Sequence, residues 1–213
     1  MFLGMFQQKF LPIFFLWLTH VSAVVGIACG YEAWFIAKTP ANLLLAFLLM
    51  AALYPLRSRQ AWFGFMLCFL VGFAAEWVGV NTGWLFGDYR YGENLGIKIG
   101  GVPLLIGVNW AVLALSTSSI AHSVEKWSPG IRCALAATLM VALDVLMEPL
   151  APRFDFWYFA NNEVPLWNYV CWWMTGFIMQ WILYSKSVKG DMIFSTHIFL
   201  VNIFFFGAVW LFT

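Results

Sequence analysis

Long apolar segments limit how this chain can fold. A helix needs about 20 apolar residues to cross the hydrocarbon core of a bilayer, and seven segments of the sequence reach or approach that length. They are residues 10–29, 41–56, 61–80, 102–121, 131–150, 165–184 and 192–212. The chain is 63% hydrophobic and only 10% charged, a composition that excludes a water-soluble domain. We therefore predict an all-α integral membrane protein with about seven transmembrane helices in one polytopic domain, residues 1–213.

Basic residues in the predicted loops indicate how the helices are oriented, because loops rich in Lys and Arg tend to stay in the cytoplasm. One side of the membrane collects seven basic residues and the other collects four. The first set is Lys9, Arg57, Arg59, Lys126, Arg132, Lys186 and Lys189, and the second is Lys38, Arg90, Lys98 and Arg153. The N-terminus is therefore predicted to be cytoplasmic. The two longest loops, residues 81–101 and 151–164, then share the opposite side.

Charge and cysteine spacing exclude several classes of function. The net charge is +1 and the basic residues are scattered, so no nucleic-acid surface is expected. The four cysteines are far apart and form neither a disulfide framework nor a CxxC metal motif. The sequence also lacks a Gly-rich phosphate loop and a His cluster for a metal. An enzyme built from this chain is expected to use acids and aromatic rings, without a metal or another cofactor.

Three carboxylates stand near the ends of apolar segments. Glu76 lies about one turn before the end of the third predicted helix, whereas Asp144 and Glu148 share one face of the fifth. A carboxylate facing lipid is costly, so these acids are predicted to point into the bundle or a cavity. A dry cavity favours the protonated acid, which is the form that acid catalysis requires. The alternative is that the acids are solvated at the headgroup level or pair with Arg90 and Arg153.

The segment after the third predicted helix combines glycines with aromatic residues. Gly79, Gly83 and Gly87 permit sharp turns and close approach of the backbone, which suits a re-entrant or covering loop. Asp88 in this loop and Asp155 in the later one are each either a catalytic acid or a turn and capping residue.

Other polar side chains lie inside the predicted helices. Asn109 and Asn168 either hold a water or an acid by hydrogen bonding, or join two helices. His20 and His197 are isolated in the sequence, and structural roles are more common for such residues.

Several motifs together resemble the carotenoid hydratase family of the CruF type, which includes γ-carotene 1'-hydroxylase and bisanhydrobacterioruberin hydratase. The stretch EWVGVNTGWLFGDYRYG carries the pattern at Glu76, Gly79, Thr82, Gly83, Phe86, Gly87, Tyr89 and Tyr91. Later elements match at Gly101, Pro103, Trp110, Asp144, Glu148, Pro149, Pro165, Asn168 and Trp172. The resemblance covers residues 76–173, and Glu148 departs from the family pattern, in which Asp is expected at this position.

The resemblance implies addition of water across the C1–C2 double bond of an acyclic (ψ) carotenoid end group, in a bacterial or archaeal cell membrane. Asp144, or next Glu76, would protonate C2, and Glu76 or Glu148 would act as the base. The implied substrate-binding residues are Tyr89, Tyr91, Trp110, Trp172, Asn168, Asn109, Phe86, Asp88 and Asp155. The implied partners are a carotenoid substrate and the lipid bilayer, and a partnership with other carotenoid-pathway enzymes stays open.

Two other functions remain open from the sequence. A cyclase of the lycopene type shares the protonation step, but a second alkene captures the cation instead of water. A carotenoid-binding or lipid-binding membrane protein without enzymatic activity needs the apolar cavity but not the acids. Access of water and folding of the end group distinguish these functions, and neither can be read from the sequence.

Overall fold

The computed structural model describes residues 2–54, 58–188 and 190–212. Two of the basic residues used to predict the orientation, Arg57 and Lys189, lie outside the described residues. The end of the second predicted segment, at residues 55–56, also lies outside them.

Helices form most of the described chain, and their bounds follow the apolar segments of the sequence. They are α1 (Phe2–Ala28), α2 (Glu32–Ile36), α3 (Thr39–Leu53), α4 (Arg59–Thr82), α5 (Leu104–His122), α6 (Pro129–Met147), α7 (Leu166–Ser185) and α8 (Met192–Trp210). Seven of these eight described helices overlap the predicted segments, and the short α2 was not predicted.

Length and composition make five of the described helices suitable for crossing a membrane. These are α1 from Lys9 onwards, α4, α5, α6 and α8. The apolar α3 is shorter, with 15 residues. The prediction of a helical membrane protein is therefore confirmed, whereas five of the described helices, and not the predicted seven, meet the length and composition of a membrane crossing.

Residues at the helix ends explain where several helices begin and end. The Ser58 side chain accepts a hydrogen bond from the Ala61 N–H at 3.2 Å and starts α4. Asp191 does the same for α8, because its carboxylate accepts from the Phe194 N–H at 2.9 Å. Gly83 ends α4 in the left-handed conformation, with φ of 68°, which a glycine adopts without steric cost. The chain therefore leaves the bundle soon after Glu76.

The helix α5 lies at the centre of the bundle and packs against α3, α4, α6, α7 and α8. Most of its residues are buried, whereas the outer helices expose large apolar side chains such as Leu48, Leu70 and Trp181. Such exposed apolar surface suits contact with lipid.

Four short strands lie in the two long segments between helices at one end of the bundle. They are β1 (Tyr89–Tyr91), β2 (Lys98–Ile99), β3 (Val102–Pro103) and β4 (Trp157–Phe159). Strand β1 pairs antiparallel with β4, and β2 pairs antiparallel with β3. We call residues 83–103 and 148–165 together the cap. These strands were not predicted, because strands of two or three residues are too short to give a periodic sequence pattern.

The cap is tied together by hydrogen bonds between its two loops. The Gly92 N–H donates to the Phe156 carbonyl at 2.8 Å, and the Ala160 N–H donates to the Asp88 carbonyl at 2.9 Å. Because α4 and α6 end at the cap and α5 and α7 begin there, the cap lies over the part of the bundle that contains Glu76 and Asp144.

Candidate active site

A small cavity lies between the cap and the bundle, and the three predicted acids line it. Its volume is about 30 Å³, which is room for one or two water molecules at about 10–15 Å³ each. The lining comprises Glu76, Phe86, Tyr89, Tyr91, Ile106, Asn109, Trp110, Asp144, Met147, Glu148, Trp157, Phe159, Asn168 and Trp172. All three predicted catalytic residues and seven of the nine predicted substrate-binding residues are among them. We call this space the acid cavity.

Glu76 accepts three hydrogen bonds and is the most fully satisfied of the acids. Its Oε1 accepts from Trp110 Nε1 at 2.8 Å. Its Oε2 accepts from the hydroxyls of Tyr89 and Tyr91, the latter at 2.8 Å. Donors aimed at a carboxyl group stabilise its ionised form, whereas burial opposes ionisation. The three donors therefore hold the Glu76 carboxyl group at a fixed position beside the cavity.

The two tyrosines reach Glu76 because they stand on the same face of β1, two residues apart. Burial and the neighbouring Glu76 carboxylate raise the pKa of both tyrosines. They consequently keep their hydroxyl protons, which they donate to Glu76. This arrangement joins α4 to the cap through hydrogen bonds that are closed off from water.

Gly79 permits this contact, and its replacement gives a first prediction. An added Cβ would lie 2.8 Å from the Tyr89 hydroxyl and 3.0 Å from the Leu85 carbonyl oxygen. We expect Gly79→Ala to lower the free energy of unfolding by about 1–3 kcal/mol, because backbone of the cap must move. Thermal unfolding of the purified protein in detergent measures this.

Gly207 in α8 provides the matched control, because a Cβ added there would have nothing within 4 Å of it. Gly207→Ala should leave stability unchanged or raise it slightly, since alanine favours helix over glycine. Equal behaviour of the two variants would contradict the close approach of the cap to α4.

Asp144 and Glu148 share one amide. Asn168 Nδ2 donates to Asp144 Oδ2 at 3.0 Å and to Glu148 Oε1 at 3.1 Å. Trp157 Nε1 of the cap donates to Glu148 Oε2 at 2.9 Å. Glu148 is thus held on both oxygens, whereas the remaining oxygen of Asp144, Oδ1, is buried without a hydrogen-bond partner among the described residues.

The unpartnered oxygen of Asp144 indicates which acid carries the proton. A buried ionised oxygen without a donor is costly, whereas a protonated carboxyl presents an O–H and leaves only weaker acceptors. Asp144 is fully buried and stands beside a second carboxyl group, Glu148, through the shared amide of Asn168. Two carboxyl groups that share a site favour keeping one proton. The geometry therefore favours the protonated form of Asp144 over that of Glu148.

Aromatic rings cover much of the remaining wall. Trp110 and Trp172 stack with ring centroids 3.8 Å apart, and Phe86 lies 6.4 Å from Trp110 between centroids. The faces of such rings carry negative potential and attract cations. The cavity consequently combines three carboxyl groups and electron-rich rings in one buried space.

Asp88 and Asp155 lie outside this cavity. Asp88 is exposed on the cap. Asp155, with a φ of 53°, holds the cap loops together: its carboxylate accepts from the Glu93 N–H and the Tyr158 hydroxyl, each at 2.8 Å. The structure thus gives Asp155 the turn-stabilising role that the sequence left as an alternative.

In the part of the chain that the structure describes, Arg90 and Arg153 do not form ion pairs with the acids of the cavity. Arg153 pairs with Glu32, and Arg90 lies over the Tyr158 ring at 4.6 Å. Among the described residues, no group of three or more His, Cys, Asp or Glu is arranged to hold a metal ion.

A second, larger cavity adjoins the acid cavity, and no sequence pattern pointed to it directly. Its volume is about 520 Å³. Its wall is formed mainly by apolar residues of α1, α2, α3, α5 and α8, together with residues of the cap. Ile106, Asn109, Met147 and Trp157 line both cavities, so the two are neighbours separated by these side chains. We call the larger space the chamber.

Trp157 and Phe159 are functional-site residues that sequence reasoning missed. They alternate with Tyr158 on β4, so their side chains share the face that closes the acid cavity. The run of four aromatic residues Phe156–Phe159 was the available signal, but it has no alternation that would show which of them face the cavity.

Comparisons with known proteins give one matching family and one similar curated protein. A family described as "Carotenoid biosynthesis protein" matches residues 38–213. The bisanhydrobacterioruberin hydratase of Haloarcula japonica is 28% identical over 135 residues, which are 60% of this chain and 46% of the relative. The chain thus aligns with about half the length of that curated relative. No solved structure matches.

Proposed function

This chain belongs to the carotenoid biosynthesis protein family, and on that premise we propose that it is a carotenoid 1,2-hydratase. The reaction is the cofactor-free, acid-catalysed addition of water to the C1–C2 double bond of an acyclic carotenoid end group. The observation that carries the proposal is the buried, unpartnered Oδ1 of Asp144 in a cavity with room for water. The similarity to a bisanhydrobacterioruberin hydratase supports hydration as the type of reaction.

The chamber is the route by which we propose that the hydrocarbon reaches the acids. Its wall is mainly apolar, as a polyene requires, and it shares Ile106, Met147 and Trp157 with the acid cavity. The end group occupies the chamber and brings its terminal double bond to this shared wall, next to Asp144. The rest of the carotenoid extends from the chamber.

The first chemical step is protonation of C2 by Asp144. The O–H bond of the carboxyl group breaks, the π electrons of C1–C2 form the new C–H bond, and C1 becomes a tertiary cation. Trp110 and Trp172 present their rings to the cavity and stabilise positive charge. The ionised Glu76 adds electrostatic stabilisation at a fixed position, which needs no rearrangement during the reaction.

The second step is attack of a water molecule on C1. Glu148 takes a proton from the water as the new C–O bond forms, and the product is a tertiary alcohol. Because the two oxygens of Glu148 each accept one hydrogen bond, lone pairs remain for a water proton. Transfer of that proton to the Asp144 carboxylate through water restores the starting state. Glu76 is a weaker candidate for the base because its oxygens already accept three donors.

The volume of the acid cavity favours hydration over cyclisation. A cyclase must fold the end group back on itself so that a second alkene reaches the cation. The acid cavity, of about 30 Å³, has room for one or two waters beside the acids, so a nucleophilic water is available at the shared wall where the cation forms. Capture of the cation by water is therefore the outcome that this cavity supports best.

The function is tested in cells that accumulate lycopene or γ-carotene and are grown with heavy-oxygen water. Expression of the chain should give a pigment heavier by one labelled water, with an acid-labile tertiary alcohol. An isomer of unchanged mass that contains a ring would make the protein a cyclase. Unchanged pigment, with the folded protein present in the membrane, would contradict hydration of these end groups and favour a binding role.

The proposed base predicts how hydration depends on pH. Glu148 follows the last residue of α6, outside the membrane-spanning segments, and burial raises its pKa to about 7. A base must be deprotonated, so hydration measured in isolated membranes should fall as pH drops below about 7. Glu148→Gln should lower the rate and remove this dependence. A rate that instead increases with falling pH, in both proteins, would contradict Glu148 as the base.

The orientation is also part of the proposal. With the N-terminus in the cytoplasm, the cap and the acid cavity lie on the non-cytoplasmic half of the cell membrane. Cysteines introduced singly at exposed positions of the cap would then be labelled by a membrane-impermeant reagent in intact cells. Labelling only after the cells are opened would reverse the orientation.

A further inference from the structure

The chamber wall includes a hydrogen-bonded polar pair, His20 of α1 and Asn42 of α3, which the proposed reaction does not use. Both residues line the chamber, and His20 is buried, with 7% of its surface exposed. Since most of the chamber wall is apolar, a hydrogen-bonding pair within it is a specific feature of the space.

The hydrogen bonds of His20 determine which way the Asn42 amide faces. His20 Nδ1 lies 2.7 Å from the Leu16 carbonyl oxygen, so Nδ1 carries the proton and Nε2 is left as an acceptor. Asn42 Nδ2 lies 3.2 Å from Nε2 and donates to it. The amide oxygen of Asn42 is thereby turned away from His20.

That oxygen, Asn42 Oδ1, is buried and has no hydrogen-bond partner among the described residues. A buried acceptor without a donor is unfavourable, so a ligand that supplies a donor gains affinity by occupying the site. A hydrocarbon has no donor, and ketones and ethers only accept. An ammonium group would have to leave water for an apolar space, which is costly.

We propose that Asn42, oriented by His20, binds the hydroxyl group of a long-chain aliphatic alcohol in the chamber. The O–H of the alcohol donates to Asn42 Oδ1, and its hydrocarbon chain packs against the apolar wall. The identification of the natural ligand as the tertiary alcohol product rests on the proposed function. The acceptor itself rests only on the geometry of the chamber.

The site has a consequence for the proposed reaction. A tertiary alcohol that stays beside Asp144 can be protonated and lose water again, because hydration is reversible through the same cation. Moving the hydroxyl group away from the shared wall of Ile106, Met147 and Trp157, deeper into the chamber, separates it from the acid. Asn42 would hold the hydroxyl group there and favour net hydration.

Binding of two ligands with the same carbon skeleton tests the proposal. The probes are lycopene and 1-hydroxy-1,2-dihydrolycopene, titrated into purified protein while tryptophan fluorescence is followed, since Trp34 and Trp157 line the chamber. Asp144→Asn serves as the background so that neither probe is converted. We expect the alcohol to bind about tenfold more tightly, which corresponds to about 1.4 kcal/mol.

Asn42→Leu should remove this preference and leave the affinity for lycopene unchanged. Asn202→Leu is the matched control, because Asn202 also lines the chamber but donates to the Ile198 carbonyl of its own helix at 2.8 Å. That variant should keep the preference. If Asn42→Leu does not fold, Asn42→Ala replaces it in the same titration.

Three results would overturn the alcohol site. They are equal affinity for both probes in the background protein, equal weakening of both by Asn42→Leu, and loss of the preference in Asn202→Leu. The outcome of the labelled-water experiment does not depend on the outcome of this titration. Preference for the alcohol without hydration activity would refute the proposed function and support the alcohol site. Hydration activity without a preference for the alcohol would support the proposed function and refute the alcohol site.

Discussion

Replacing Asp144 with asparagine should reduce hydration by about a hundred- to ten-thousand-fold, the usual contribution of a general acid. Asparagine has the shape of aspartic acid, and its amide oxygen can still accept the 3.0 Å hydrogen bond from Asn168. Its NH₂ group takes the position of the unpartnered oxygen but cannot protonate an alkene. The fold is therefore retained while the proton donor is lost. Formation of labelled alcohol in isolated membranes measures the effect.

Glu163→Gln provides the control for this experiment. Glu163 is an exposed carboxylate of the cap, so removal of its charge should leave hydration unchanged. Size-exclusion profiles of the detergent-solubilised proteins would establish that both variants fold. Wild-type activity in a folded Asp144→Asn protein would contradict the assignment of the proton donor, and Glu148 would then be tested in its place.

Two substitutions of Glu76 should separate its role in the reaction from its role in the fold. In Glu76→Gln, the amide oxygen can accept from Trp110 and the NH₂ group can donate to the hydroxyl oxygens of Tyr89 and Tyr91. The protein should therefore fold, but the fixed negative charge is gone. We expect hydration to fall by about a hundred- to a thousand-fold, as when one preorganised electrostatic group is removed.

Glu76→Leu should instead prevent folding or lower stability strongly. It leaves the donors of Tyr89, Tyr91 and Trp110 buried without an acceptor, and each such group costs about 1–3 kcal/mol. Thermal unfolding in detergent compares the two variants. If Glu76→Gln keeps full activity, Glu76 serves only to join the cap to α4. If Glu76→Leu is as stable as wild type, the three hydrogen bonds do not hold the cap.

The candidate acids could be found from the sequence because their surroundings make them exceptional. Glu76, Asp144 and Glu148 are carboxylates in segments that are otherwise apolar, and a charge in such a segment must avoid lipid. That argument requires no knowledge of how the helices pack. It identified residues that the fold then places around a single cavity.

The roles of the acids could not be assigned in the same way. The position of the proton depends on hydrogen bonds that Asn168 and Trp157 donate to the acids. Asn168 is 24 residues from Asp144 in the sequence, and Trp157 is 9 residues from Glu148. The three donors to Glu76 come from α5 and the cap, up to 34 residues away. Such contacts arise from packing between elements, and no local sequence pattern records them.

By itself, the sequence determined that this chain is a helical membrane protein and where most of its helices lie, because the length of an apolar segment is a local property. It also favoured carboxylates that point into the bundle, and the structure shows Glu76, Asp144 and Glu148 buried. Only the tertiary structure decided that the two long loops pair as strands, that Tyr89 and Tyr91 close over Glu76, and that a large apolar chamber adjoins the acids. These features depend on which surfaces meet when the helices pack, so their physical cause lies in contacts between residues that are distant in the chain.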